Sequence, residues 1–171
     1  MTRWLDDDEQ HTWRGFLAVN RMLFERLERQ LQTGAGMPHA YYEILVRLSE
    51  TPGRTLRMSE LATNAHSSRS RLSHAVARLE EMGWVRRKPC ASDRRGALAE
   101  LTDEGMAALV AAAPGHVEEV RAQLFDALSA EQVAALGEIY DTVLAHMALS
   151  HMAPSRTAGP HMTPAETNAG A

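Results

Sequence analysis

Ser67-Ser68-Arg69-Ser70-Arg71-Leu72-Ser73-His74-Ala75-Val76-Ala77-Arg78-Leu79-Glu80-Glu81-Met82-Gly83 is the stretch whose reading decides the fold. Wound at about 100° per residue, it places Leu72, Val76, Leu79 and Met82 on one side, with Ala75 close by. Ser70, Ser73, His74 and Ala77 fall opposite, flanked by Arg71 and Arg78. Ser67 or Ser68 supplies the N-cap, and Gly83 is placed for a left-handed C-terminal cap. The outer face is small and polar and carries no acid in its first half. A helix made only for solubility would mix Glu and Lys four residues apart. Glu80 and Glu81 stand at the far end. A second reading, an amphipathic core helix with a neutral outer face, remains open at this point.

Upstream, Ser59 to Ala65 forms a shorter helix with Glu60 in its first turn, joined to the first through Asn64-Ala65-His66. Downstream, Trp84 to Lys88 and Ala97 to Leu101 have strand character. Pro89-Cys90-Ala91-Ser92-Asp93-Arg94-Arg95-Gly96 between them is rich in turn residues and makes the pair a hairpin. Leu56 and Arg57 form a very short strand. Two helices followed by a basic hairpin suggest a winged helix-turn-helix. Small side chains let such a helix enter a major groove, where Arg, Ser and His donate to base edges or phosphates. Arg94 and Arg95 at the hairpin tip suit the negative potential of a minor groove, with Asp93 able to hold one of them.

Charge is distributed accordingly. The chain has 18 Lys and Arg against 22 Asp and Glu, a net charge of −4. Yet between Arg54 and Arg95 ten basic residues face only Glu60, Glu80, Glu81 and Asp93, so the middle of an acidic chain is cationic. Such a block suggests a surface aimed at a polyanion, or else a solvated face without a partner. All the cations except Lys88 are arginine. With abundant alanine, this reads as GC-rich codon usage, so arginine content alone is no argument for phosphate recognition.

The remaining elements are helical. Trp13, Phe16, Leu17, Val19, Leu23, Leu27 and Leu31 recur at helical spacing over about Asp8 to Leu31, and Thr33-Gly34-Ala35-Gly36 stops that helix. Pro38 opens the next as its first residue, and Thr51-Pro52-Gly53 ends it. Thr102 caps a long alanine-rich helix to about Leu128, kinked at Pro114-Gly115. Ser129, with Gln132 as its capping-box partner, starts the last one. From Ser150 onward the composition cannot bury a core and predicts a disordered tail. The fold class is therefore mainly α with a small β-hairpin wing (α+β).

At 171 residues and 44% hydrophobic content the chain reads as an ordinary globular domain. The N-terminus turns acidic at once and shows no secretory signal, and no run is apolar enough for a membrane span, so the expected location is the cytoplasm. One cysteine excludes an intrachain disulfide framework. Neither a nucleophile elbow nor a phosphate loop is present, and His146, His151 and His161 lack metal-ligand spacing, so no enzyme, cofactor or metal is expected.

The chain resembles the MarR family of bacterial regulators over roughly residues 10 to 148. The resemblance rests on Met58-Ser59-Glu60-Leu61-Ala62, on Ser68 to His74, on Arg78-Leu79-Glu80-Glu81-Met82-Gly83-Trp84-Val85-Arg86-Arg87, and on the wing pattern met by Asp93, Arg95, Leu101 and Thr102. Ala99 replaces the usual valine of that pattern. The resemblance implies a homodimer whose first, fifth and sixth helices interlock, with each protomer reading half of a pseudo-palindrome in double-stranded DNA, and it puts Arg95 in the minor groove. Residues 1–36 and 102–149 would then serve dimerisation, 37–101 DNA binding, and 150–171 form the tail. Phosphate contacts are expected from Arg54, Arg57, Arg86 and Arg87. Base or groove contacts are expected from Ser68, Arg69, Ser70, Arg71, Ser73, His74 and Arg95, with Arg78, Asp93 and Arg94 beside them. Arg69 points toward the buried flank on the wheel, and only its first-turn position keeps it in reach.

Members of this family often sense small aromatic or phenolic acids between the dimer region and the DNA-binding lobe. His11, Trp13 and Arg14 on the first helix, with His39, Tyr41 and Tyr42 on the second, are the residues that would line such an effector cleft. The alternative for Trp13, Tyr41 and Tyr42 is plain core packing. Cys90, beside Lys88 in the wing, offers a redox-responsive reading, although peroxide-sensing members carry their cysteine near the start of the first helix and this chain has none there. A protein-interaction module without DNA binding is the other alternative.

Overall fold

A computed structural model of the chain describes residues 2–65, 67–90 and 93–152, apart from the side chains of 94, 95 and 149–152. The chain divides into two compact units, Met1–Ala127 and Leu128–Ala171.

The first unit holds α1 (Asp7–Ala35), α2 (His39–Ser49), β1 (Thr55–Arg57), α3 (Met58–Asn64), α4 (Arg69–Glu81), β2 (Val85–Cys90), β3 (Asp93–Leu101) and α5 (Asp103–Gln123). Helix α1 starts with a capping box. Glu9 N donates to Asp6 Oδ1 at 2.8 Å while Asp6 N donates to Glu9 Oε2 at 3.1 Å. It runs to Ala35 rather than Leu31, because the left-handed residue that closes it is Gly36 (φ 65°) and not Gly34. Pro38 is the N-cap of α2 rather than its first residue.

The three strands form an antiparallel sheet in the order β1-β3-β2. Leu56 lies opposite Ala99, and Val85 opposite Leu101. The hairpin is longer than its sequence suggests. Pro89 and Cys90 continue β2, with an irregularity between them, and β3 begins at Asp93. The backbone of Arg94 and Arg95 therefore belongs to a strand rather than to a turn. Ladder pairing on both sides of residues 91–92 overrides the turn propensity of this stretch.

One core joins these elements: Leu31, Met37, Leu45, Leu48, Leu61, Leu72, Val76, Leu79, Val85, Ala99 and Leu101 are all nearly or fully buried. Thr102 ties three elements together at its edge. Its Oγ1 accepts from Gly105 N at 3.0 Å to cap α5 and donates to the Gly83 carbonyl at 2.7 Å, while its N–H donates to the Trp84 carbonyl at 3.0 Å. Helix α5 runs on through Pro114 and ends at Gln123, short of the expected end near Leu128. Gly115 brings α1 close, since a Cβ on it would come within 2.9 Å of Gln30 Nε2.

The second unit contains α6 (Ala130–Met152), preceded by the expected box: Ser129 N donates to Gln132 Oε1 at 2.9 Å and Gln132 N to Ser129 Oγ at 3.3 Å. The helix reaches Met152, so the first three residues assigned to the tail are helical. The rest of that tail, 153–171, lies outside the described residues. Among the described residues no helix is long and apolar enough to cross a membrane.

Candidate nucleic-acid interface

Ser68 caps α4 by accepting from Arg71 N at 3.3 Å. The turn before it is closed by Ser67 N donating to the Ala62 carbonyl at 3.0 Å, and His66 within that turn lies outside the described residues. With Leu72, Val76 and Leu79 buried, the same helix exposes Arg69, Ser70, Arg71, Ser73, His74 and Arg78. Arg69 is thus exposed and lines the groove where α3, α4 and the wing strands meet, although the wheel turns it toward the buried flank.

Two concavities border this face. An open groove of about 480 Å³ is lined by Arg57, Ser59, Arg69, Ser73, Arg87, Asp93 and Gly96, so α3, α4 and both wing strands meet there. On the other flank Tyr41 of α2 joins Arg71, His74, Arg78 and Glu81 around a shallower notch of about 590 Å³.

Most cations assigned to this surface by sequence have acidic partners. Arg54 pairs with Asp103 (3.0 Å), Arg57 with Asp93 (3.7 Å), Arg78 with Glu81 (2.6 Å), and both Arg86 (2.9 Å) and Lys88 (2.6 Å) with Glu100. Lys88 and Arg86 hold the Glu100 carboxyl below the usual carboxylate range. Glu80 accepts from Arg87 N at 2.8 Å and pairs with its Nε at 3.3 Å, and Arg87 Nη2 donates to the Ser73 carbonyl at 2.7 Å. Glu80 and Glu81, at the far end of α4, thus each hold an arginine of this surface. The exposed pairs of Arg54 and Arg78 contribute only about 0–1 kcal/mol each, so a phosphate can displace their acids at little cost. Arg69 and Arg71 have no acidic partner among the described residues. The side chains of Arg94 and Arg95 lie outside the description.

Residues 38–96 match the MarR family. The chain is 51% identical to Sco3205, a MarR family transcriptional regulator from Streptomyces coelicolor solved in complex with DNA; the match covers 93% of this chain and 97% of that one, with a TM-score of 0.81. This chain belongs to the MarR family. A second MarR family regulator from the same organism, AbsC, is 45% identical over 85% of this chain and 98% of its own, with a TM-score of 0.80. The regulator PecS of Dickeya dadantii is 33% identical over 89 residues, and the chain spans about half of it, 53%.

Within this MarR-family chain the six residues assigned to an effector cleft do not come together. His11, Trp13 and Arg14 are exposed on the first half of α1. Trp13, 50% exposed, stacks on Phe16 at 5.7 Å and is no core residue of the single chain, and Arg14 donates to Gln10 at 3.0 Å. Tyr41 faces the notch beside α4. Tyr42 is core, 8% exposed. His39 and Tyr42 instead join two residues that sequence reasoning missed, Phe24 of α1 and His116 of α5. Ring centroids lie 5.6 Å apart for Phe24–His39, 5.7 Å for His39–His116 and 4.4 Å for Tyr42–His116. His116 was legible in principle: it continues the buried stripe of Gly105, Leu109 and Ala112 at four- and three-residue steps. Cys90 is buried, which gives the redox reading no exposed thiol.

Proposed function

We propose that this chain is a sequence-specific DNA-binding regulator, a repressor working as a homodimer on a pseudo-palindromic operator in the cytoplasm. The observation that carries the reading is the exposed face of α4, where Arg69 and Arg71 stand beside Ser70, Ser73 and His74 without acidic partners among the described residues. A neighbouring wing completes a cationic surface of the kind that reads grooves and phosphates together. Arg54, Arg57, Arg78 and Arg86 add phosphate contacts by exchanging their acidic partners, and Arg95 enters the minor groove.

The dimer reading rests on apolar surface. Trp13, Phe16, Leu17, Val19, Met22 and Phe24 of α1 are all about half exposed, as are Ile139, Tyr140, Val143, Leu144 and Met147 of α6. Contiguous patches of that kind mark protein contacts. Residues 1–36 and 102–149 then hold the dimer and 37–101 the DNA, with the two recognition helices about 34 Å apart. Release by a small aromatic or phenolic effector belongs to the same reading, supported by the ring cluster of Phe24, His39, Tyr42 and His116 between helices of both regions.

The test is selection of bound fragments from genomic DNA, followed by anisotropy titration with and without phenolic acids. Tight, salt-dependent binding to a two-fold site is expected. A dimer that ignores every duplex even at low ionic strength would overturn the proposal.

A further inference from the structure

Alternation along β2 separates its cations. Arg86 and Lys88 share one face and reach Glu100 on β3, whereas Arg87 points the other way, onto α4. There its guanidinium is two-thirds covered and used by the protein itself. Nε faces Glu80 Oε2 at 3.3 Å, and Nη2 donates to the Ser73 carbonyl at 2.7 Å and approaches Ser73 Oγ at 3.5 Å. The second oxygen of Glu80 accepts the backbone N–H of Arg87 at 2.8 Å. One residue of the wing is thus held by two residues of the recognition helix, two turns apart, on the side that lines the groove.

Resting on the DNA-binding reading, we propose that Arg87 is a positioning residue rather than a phosphate ligand: with Glu80 it fastens the wing to α4, so that helix and wing meet DNA as one rigid piece. An unfastened wing would have to be ordered at the moment of binding, and that ordering weakens association. The planar fork of arginine is needed, because a lysine ammonium cannot serve Glu80 and the Ser73 carbonyl in this geometry. A phosphate, by contrast, accepts lysine as a point charge.

The experiment titrates the full-length chain with its selected operator over a range of salt. Wild type, Arg87→Ala, Arg87→Lys, Glu80→Ala, Glu80→Gln and Arg71→Ala are compared, with thermal midpoints as the folding control. Positioning predicts that Arg87→Ala and Arg87→Lys both weaken operator binding about tenfold with the salt slope unchanged, whereas Arg71→Ala lowers the slope by about one. Glu80→Ala and Glu80→Gln remove the same charge, so the difference between them reports the hydrogen bond to Arg87 N, and Glu80→Ala is expected to bind more weakly. Rescue by Arg87→Lys, a slope lowered by one in Arg87→Ala, or tighter binding by Glu80→Ala than by Glu80→Gln would each overturn the proposal. Wild type that binds no duplex is a different outcome, which removes the DNA-binding reading and this inference with it. Amide exchange read without DNA gives an independent check: Arg87 N–H should exchange at least tenfold faster in Glu80→Ala, and unchanged protection would overturn the clamp itself.

Discussion

The imidazole of His116 packs 4.4 Å, centroid to centroid, from the phenol ring of Tyr42, joining α5 to α2. Burial is the first cause of the lowered His116 pKa, and the neighbouring His39 adds to it; Tyr42 is raised by burial as well. The folded chain therefore resists a proton that the unfolded chain accepts near pH 6.5. The stability this site contributes is fully present above that pH and is lost as pH falls through the lower, folded-state value. We expect the thermal midpoint to drop between pH 7.5 and pH 5.5, and to drop less in His116→Phe. An equal drop in both proteins would show that other groups carry the acid sensitivity.

Gly105 in the first turn of α5 is where that helix meets the turn between α4 and β2. A Cβ there would run into the Trp84 carbonyl and stand 2.8 Å from Leu101 Cδ1. The carbonyl is backbone and already accepts from Thr102 N, so it has little freedom to retreat. Gly105→Ala should destabilise the fold by about 1–3 kcal/mol, the range for overpacked sites, even though alanine is the better helix former. Urea denaturation at fixed protein concentration reads this, and a variant as stable as wild type would refute it.

Legibility differed with the range of the interaction. Helix α4, its Ser68 cap and the Ser129 box were readable because caps and amphipathic stripes are local, depending on residues three or four apart. The order β1-β3-β2 agreed with a short strand plus a hairpin. What escaped was decided at a distance. Glu80 is separated from Arg87 by a turn and a change of element, so nothing in local spacing marks them as partners. Trp13 and Tyr42 look alike as apolar aromatics, yet one is core and the other is half exposed on the single chain, and only tertiary packing separates them.

The open stripe on α1 makes a prediction about assembly. Phe16, 44% exposed, stacks with Trp13, and Leu17 beside them is 46% exposed. A glutamate at position 16 or 17 would bury a charge in any interface formed there, at a cost that hydrophobic contact does not offset. Sedimentation should find wild type as a dimer and Phe16→Glu as a monomer with operator affinity at least tenfold lower. If Phe16→Glu sediments as wild type does, α1 is not the dimer face.

The helix and the wing should fail in different ways. Arg71, exposed on α4 and without an acidic partner among the described residues, is suited to a phosphate. Its loss should weaken specific and non-specific DNA alike and lower the salt slope by about one. The backbone of Arg95 lies in β3, two residues beyond Asp93 of the groove lining, and the function proposed above puts its side chain in the minor groove. Its readout depends on groove width, which varies with sequence. Arg95→Ala should therefore cost about 1–3 kcal/mol on the selected operator and much less on random duplex. Anisotropy titrations with both duplexes, at several salt concentrations, separate the two residues. Should Arg95→Ala weaken both duplexes equally, the wing would be an electrostatic anchor only, and specificity would rest on the exposed face of α4.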